Sequence, residues 1–131
     1  MKKTTLLNAQ LSYTIATLGH NDMLVIGDAG LPIPADVERI DLALTRGVPG
    51  FVETLQVVLS EMQVDHIILA EETAKVSPQI AESIHKQLPG VAVELVSHEA
   101  FKKITAGAVA VVRTGEFTPY ANIILVAGVV F

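Results

Sequence analysis

The sequence predicts a three-layer α/β/α domain around a mostly parallel sheet, with a mixed sheet left open. Segments of helical periodicity alternate with short apolar runs, the pattern of βα units. Those runs are continuous rather than alternating, as in strands covered on both faces. The length, 131 residues, suits a single domain over residues 1–131. At 14.0 kDa, area scaling gives a folded surface of roughly 6,700 Å² against roughly 20,000 Å² for the extended chain. A substantial core can therefore form without disulfides or metals.

Each element has a local reason. Leu7, Leu11, Ile15 and Leu18 fall at helical spacing, with Asn8 as N-cap and Gly19 as the stop. Residues 23–26 form an apolar strand that ends at Gly27-Asp28-Ala29-Gly30. Leu31-Pro32-Ile33-Pro34 is an extended loop, because two prolines exclude a helix. A short strand is expected at 40–44 and a helix at 49–62, where Phe51, Leu55, Val58, Leu59 and Met62 share one face. Residues 66–70 are a strand. Ser77 and Pro78 open a helix that ends at Leu88-Pro89-Gly90, and 91–96 is a buried strand. Ser97 caps a short helix carrying Phe101 and Ile104, and the last strands are 108–112 and 122–126.

Composition removes several functional classes. Half of the residues are hydrophobic and 18% are charged, so the chain is not disordered. A mean hydropathy of +0.49 is high for a small soluble monomer and calls for a subunit interface. The net charge of −5 argues against nucleic-acid binding. The chain has no Cys, which excludes disulfides and thiolate metal sites and fits a cytoplasmic setting. Lys2 and Lys3 precede too short an apolar run for a signal peptide, and residues 123–131 are too few for a membrane span, which needs about 20. There is no GxGxxG, no GxxxxGK[ST], no GxSxG and no HExxH. Neither a nucleotide cofactor nor a metal is expected.

Polar residues at segment ends carry more information. His20 follows a helix stop, where its ordinary role is to interact with the helix dipole. Asp28 lies at the carboxyl end of a strand, where open α/β sheets place ligands, or it closes an Asx turn. His98 starts a helix after another strand. Tyr120 and Asn122 are one residue apart as a strand begins, and Asn122 opens a run otherwise apolar, where an amide needs partners. Glu71 or Glu72 could line the same cleft, although a solvated helix start accounts for both. Lys102 lies one turn after His98 and could reach the same mouth, although an exposed helix lysine accounts for it as well. His66 and His85 read as structural or exposed.

Together these segments resemble a known family. Leu18-Gly19-His20-x-Asp22, Asp28 through Pro34, Arg39 through Leu44, Gly47-Val48-Pro49 and the closing Gly115-Glu116-x-x-Pro119-Tyr120-Ala121-Asn122-Ile123-Ile124-Leu125 are similar to the bacterial D-ribose pyranases, relatives of the fucose mutarotases. The resemblance spans residues 7–131, and the chain is short only at 78–91, where the family varies in length. It implies interconversion of β-pyranose and β-furanose D-ribose by a cytoplasmic homodecamer of two pentameric rings. It implies His20 as proton donor, with Asp28, His98, Tyr120, Ala121 and Asn122 holding the sugar.

The residue types suit that task. Opening a hemiacetal requires a proton delivered to the ring oxygen and one removed from the anomeric hydroxyl. An imidazole, with a reference pKa of ~6.5, exchanges protons near neutrality. A carboxylate and an amide match vicinal hydroxyls. No redox cofactor, metal or covalent nucleophile is required. A non-catalytic sugar or sugar-phosphate binding module serving ribose transport would use Asp28, His98 and Asn122 but not His20. An aldose–ketose isomerase would need a base at the C2 proton. A purely structural scaffold leaves Asn122 unexplained.

Strand length adds one expectation independent of the family. His20 precedes the strand at 23–26 and Asp28 follows it, so the two loops lie roughly 15–20 Å apart at ~3.3 Å per residue. Asp28 and His98 follow parallel strands and share one sheet edge. Tyr120 and Asn122 join the His20 edge unless their strand runs antiparallel. One sugar cannot touch both edges of one subunit, which calls for a site shared between chains.

Overall fold

The structure, a computed structural model, describes all of residues 1–131. Six strands, β1 (Met23–Gly27), β2 (Glu38–Asp41), β3 (Val64–Ala70), β4 (Ala92–Val96), β5 (Ala110–Arg113) and β6 (Ile123–Ala127), form one sheet in the order β2-β5-β1-β6-β3-β4. Every neighbouring pair is parallel except the two made by β6, which runs antiparallel to both β1 and β3. The sheet is therefore mixed, with one reversed strand inside it.

The apolar runs are continuous because alternate residues serve two cores. Leu24, Ile26, Ile123 and Leu125 enter the larger one beneath α1 (Ala9–Thr17), α2 (Phe51–Leu59) and α4 (Pro78–Gln87). Val25, Ile124 and Val126 enter the smaller one, closed by Phe101 of α5 (His98–Ile104) and by Leu31 and Val37 of the connection between β1 and β2. The third layer is thus one short helix and a loop. The accessible surface, 6950 Å², lies close to the scaling value.

Local signals explain most boundaries. Asn8 accepts from the Leu11 N–H at 2.8 Å, the expected N-cap of α1. Ser97 accepts from the Ala100 N–H at 3.1 Å and opens α5. Ser77 stands at the N-cap position with Pro78 at the first position of α4, but its hydroxyl points elsewhere. Leu7 is exposed and takes no part in the α1 face.

Several expectations are corrected. The strand expected at 40–44 is β2, at Glu38–Asp41, because β5 offers partners only from Ala110 to Arg113. The helix expected at 49–62 is α2, Phe51–Leu59, with Gly50 as N-cap and Pro49 outside it. A short helix, α3 (Glu71–Val76), precedes α4 with only Ser77 between them. The strand β4 is not buried: it is the sheet edge, and Leu95 is 60% exposed. A 3₁₀ turn at Thr105–Gly107 delays β5 by two residues from its expected start. Tyr120 lies before β6 rather than in it.

Apolar side chains remain uncovered in the single chain. Tyr13 is 72% exposed, Leu44 82% and Phe117 58%. This is the excess that the composition anticipates.

Candidate functional site

Asp28 and Asn122 form the centre of the site. The register that pairs Ile26 with Ile123 continues outward to place Gly27 beside Asn122. Asn122 is 1% exposed, and its Oδ1 accepts from the Asp28 N–H at 2.8 Å. Its Nδ2 donates to Asp28 Oδ2 at 3.1 Å. These two bonds fix the amide's orientation and hold the carboxylate still. Asp28 Oδ1 also accepts from the Gly30 N–H at 2.9 Å, so the Asx turn is present along with the cross-strand pair. The backbone of Ala29 is clamped between the Glu116 carbonyl at 2.8 Å and Arg113 Nε at 3.0 Å.

His98, at the first position of α5, reaches the same place from β4. Its ring meets the Tyr120 ring edge-on at 4.9 Å and stacks over Phe101 at 6.2 Å. His98 Nδ1 is enclosed without a hydrogen-bond partner in the chain. Asp28, His98, Tyr120 and Asn122 line one cavity of about 260 Å³, together with Leu31, Pro32 and Pro119. A second hollow shares Asp28, Gly30 and Pro119 with it and continues past Arg113, Glu116 and Phe117.

Tyr120 and Asn122 thus stand with Asp28 and His98. The antiparallel run of β6 puts them there, and the alternation of a strand does not, because Tyr120 occupies the left-handed region at φ 60°. Ala121 is buried in the larger core, so only its backbone can face a ligand. Lys102 pairs with Glu99 at 2.7 Å and does not line the cavity. That hydrogen bond holds Glu99 below the usual carboxylate range. Glu72 does not line it either; it accepts from the His98 N–H at 2.9 Å and caps α5. Glu71 pairs with Lys75, and His66 with Asp65, at the surface.

His20 lies at the other edge. It is the second residue of a turn in which the Asp22 N–H donates to the Gly19 carbonyl at 3.1 Å. Asn21 takes φ 70°, the positive value that a type II turn requires at its third residue. Asp22 Oδ2 accepts from the Gly19 N–H at 2.7 Å, and Ala127 at the end of β6 bonds Asn21 and Asp22. The turn presents the imidazole outward over a cavity lined by Leu18, Glu61, Gln63 and Val130 among others. None of the five main cavities is lined by both His20 and Asp28. The five residues of β1 between them span roughly 16 Å.

Glu116 is a residue whose role the sequence left unread. Its carboxylate accepts from the Phe51 N–H at 3.1 Å and from the N–H and hydroxyl of Thr118 at 3.1 and 2.6 Å. It therefore ties the N-terminus of α2 to the segment that carries Tyr120. Burial raises its pKa, but the bonds from Thr118, Phe51 and Phe117 outweigh that and hold it below the usual value. No cluster of three or more metal-ligating side chains is present, and no helix is long and apolar enough to cross a membrane.

A family model described as the RbsD / FucU transport protein family matches residues 1–130. The chain belongs to this RbsD / FucU family. Among its relatives, a D-ribose pyranase of Chloroflexus aggregans is 60% identical over 131 residues, and one of Vibrio cholerae is 56% identical over 139, each match covering both chains fully. The fold is that of Bacillus subtilis RbsD complexed with D-ribose, at a TM-score of 0.97 and 47% identity over all of both chains. A fucose mutarotase of Streptococcus pneumoniae in complex with L-fucose matches at 0.82 and 26%, covering 95% of this chain and 94% of that one. RbsD / FucU membership agrees with the α/β architecture expected from the sequence.

Proposed function

We propose that this chain interconverts the β-pyranose and β-furanose forms of D-ribose by opening and reclosing the sugar ring. The observation that carries the proposal is the convergence of Asp28, His98, Tyr120 and Asn122 on one cavity. Relatives that bear the name D-ribose pyranase, and a similar protein complexed with D-ribose, support it. The relatives' name speaks for an enzyme rather than a binding module.

Asp28 accepts hydrogen bonds from a vicinal pair of sugar hydroxyls, its own position held by Asn122. Asn122 keeps one amide hydrogen for the substrate, since the other is committed to Asp28. His98 Nδ1, enclosed and unpartnered, is a contact for a further hydroxyl. Tyr120 covers one side of the ring. His20 gives the ring oxygen its proton as the anomeric hydroxyl releases one to water, and reclosure through another hydroxyl reverses both transfers. General acid–base help of this kind contributes about 10²–10⁴-fold, and no cofactor or metal takes part.

His20 and Asp28 of one chain face opposite edges of the sheet, so each complete site takes His20 from a neighbouring copy. The single domain, the homodecamer of two pentameric rings, and the cytoplasmic location belong to the same proposal. Exchange between ribose ring forms, followed by NMR magnetisation transfer, tests it. His20→Ala should lose exchange while keeping fold and assembly; exchange at the parent rate would remove His20 from the mechanism. His20→Ala and Asp28→Ala chains, unfolded, mixed and reassembled, should regain part of the activity. Mixed assemblies that stay inactive would refute the shared site.

A further inference from the structure

The helix α3 and Ser77, the residue that ends it, supply three side chains to the two segments that build the sugar cavity, and none of the three lines that cavity. Thr73 Oγ1 donates to the Tyr120 carbonyl at 2.9 Å, and Ser77 Oγ donates to the Pro119 carbonyl at 2.6 Å. Glu72 Oε2 accepts from the His98 N–H at 2.9 Å. Thr73 lies in α3 and Ser77 four residues on, where α3 gives way to α4, and each is 1% exposed. Two hydroxyls this deeply buried need partners, and these carbonyls are the acceptors they find.

What they hold is unusual backbone. Tyr120 sits at φ 60°, a region that bulky L-residues seldom occupy unless the surroundings impose it. Its amide neighbours are already used: the Ala121 N–H donates to the Thr118 carbonyl at 3.4 Å. The Thr73 hydroxyl is the side-chain donor on the Tyr120 carbonyl, and that carbonyl's direction sets the twist of the residue. The twist in turn puts the phenol ring edge-on against His98.

We infer that Thr73, with Ser77 and Glu72, is a positioning residue for the sugar site: it fixes Tyr120 against His98 by holding the Tyr120 carbonyl. The inference rests on the sugar-site reading above. Without the hydroxyl, the carbonyl is left without a buried donor and the residue relaxes toward negative φ. The phenol then leaves His98, and the cavity loses one wall while Asp28 and Asn122 keep their own bonds.

The test compares Thr73→Val, which keeps the shape and removes the donor, with Thr73→Ser, which keeps the donor. Ribose KM and kcat are read from NMR exchange, and the His98 ring-proton shifts are read in the absence of sugar. Those protons lie in the ring current of Tyr120, so they report its position whether or not ribose is the substrate. Loss of one buried hydrogen bond corresponds to a rise in KM of about three- to tenfold. We expect Thr73→Val to show that rise, with displaced His98 shifts and a smaller change in kcat, and Thr73→Ser to restore both. His98 shifts and KM equal to the parent's in Thr73→Val, or equal damage in Thr73→Ser, would overturn the inference. If Thr73→Val does not assemble, Ser77→Ala carries the same test through the Pro119 carbonyl, and unchanged KM and His98 shifts would again refute it. A parent protein that neither binds ribose nor exchanges its ring forms would refute the sugar-site reading and, with it, the ribose role given to Thr73. His98 shifts that still move would then mark the failure as one of substrate and not of geometry.

Discussion

Asn122→Asp changes one atom group and turns the centre of the site against itself. In the parent, Asn122 Nδ2 donates to Asp28 Oδ2 across 3.1 Å in a pocket where Asn122 is 1% exposed. In the variant, two carboxylate oxygens meet at that separation. Like charges so close do not both ionise; the pair takes up one proton and shares it. Proton uptake therefore caps the damage. With an aspartate reference pKa of ~3.9, binding that proton at pH 7 costs about 4 kcal/mol, at ~1.36 kcal/mol per pH unit. At pH 5 the same step costs only about 1.5 kcal/mol. The sign follows from linkage. The folded variant binds a proton that the unfolded chain does not, so its stability falls as pH rises above the unfolded value. Urea midpoints of parent and variant at pH 5, 6 and 7, at fixed protomer concentration, measure this directly. The deficit should grow by about 2–3 kcal/mol between pH 5 and 7. Asn122→Leu, which loses the same bonds without adding charge, should show a deficit that barely moves over that range. A flat deficit in Asn122→Asp would mean that the two side chains do not face each other.

Four further outcomes are expected. Gly27→Ala should fold but bind ribose more weakly, because its Cβ would stand 3.1 Å from Asn122 Oδ1 and 2.7 Å from the movable Leu31 Cδ2; isothermal titration checks this. Gly115→Ala should instead fail to fold or lose at least about 1–3 kcal/mol in a urea titration, since its Cβ would lie 2.6 and 2.7 Å from the Val48 backbone oxygen and nitrogen. Glu116 is held below the ordinary value of 4.5, so its contribution is present above that pH and is lost as pH falls through the folded value. Glu116→Gln should therefore flatten the loss of urea stability as pH falls from about 5 to about 3. Exchange activity should survive exhaustive chelation, and rescue of a chelated, inactive sample by one metal would refute a metal-free mechanism.

Much of the fold was legible because local chemistry and tertiary demand agree. Asn8 and Ser97 cap helices in the structure as their residue types suggest. The continuous apolar runs of β1 and β6 are buried on both faces, as their composition requires. Where the two disagreed, composition misled. The run at 91–96 reads as a buried strand, yet β4 lies at the edge, and Glu94 in the middle of the run marks it as an exposed strand. Asp28, His98, Tyr120 and Asn122 could be picked out as polar groups at strand ends. Thr73 and Ser77 could not. A threonine in a short helix and a serine at a helix start carry no signal of the carbonyls they will meet 47 and 42 residues downstream.

The sequence left the direction of β6 open, and that direction decides where the cluster forms. Residues 114–122 connect β5 to β6, and β1 lies between those two strands in the sheet. A parallel return would require the chain to cross a whole face of the sheet, a connection of a dozen or more residues and usually a helix. This connection is shorter than that and contains no helix, so β6 has to start at the edge where β5 ends. The chain must then pass over the end of β1, which is where Asp28 lies. The hydrogen bond from the Ala29 N–H to the Glu116 carbonyl and the Asn122–Asp28 pair are the contacts of that passage. The same reversal sends the end of β6 back to the turn that presents His20, where Ala127 bonds Asn21 and Asp22. One strand thereby braces the Asp28–Asn122 cluster at its start and the His20 turn at its end. It sets those two ends a strand length apart, which is why a site that needs both calls for a second copy of the chain.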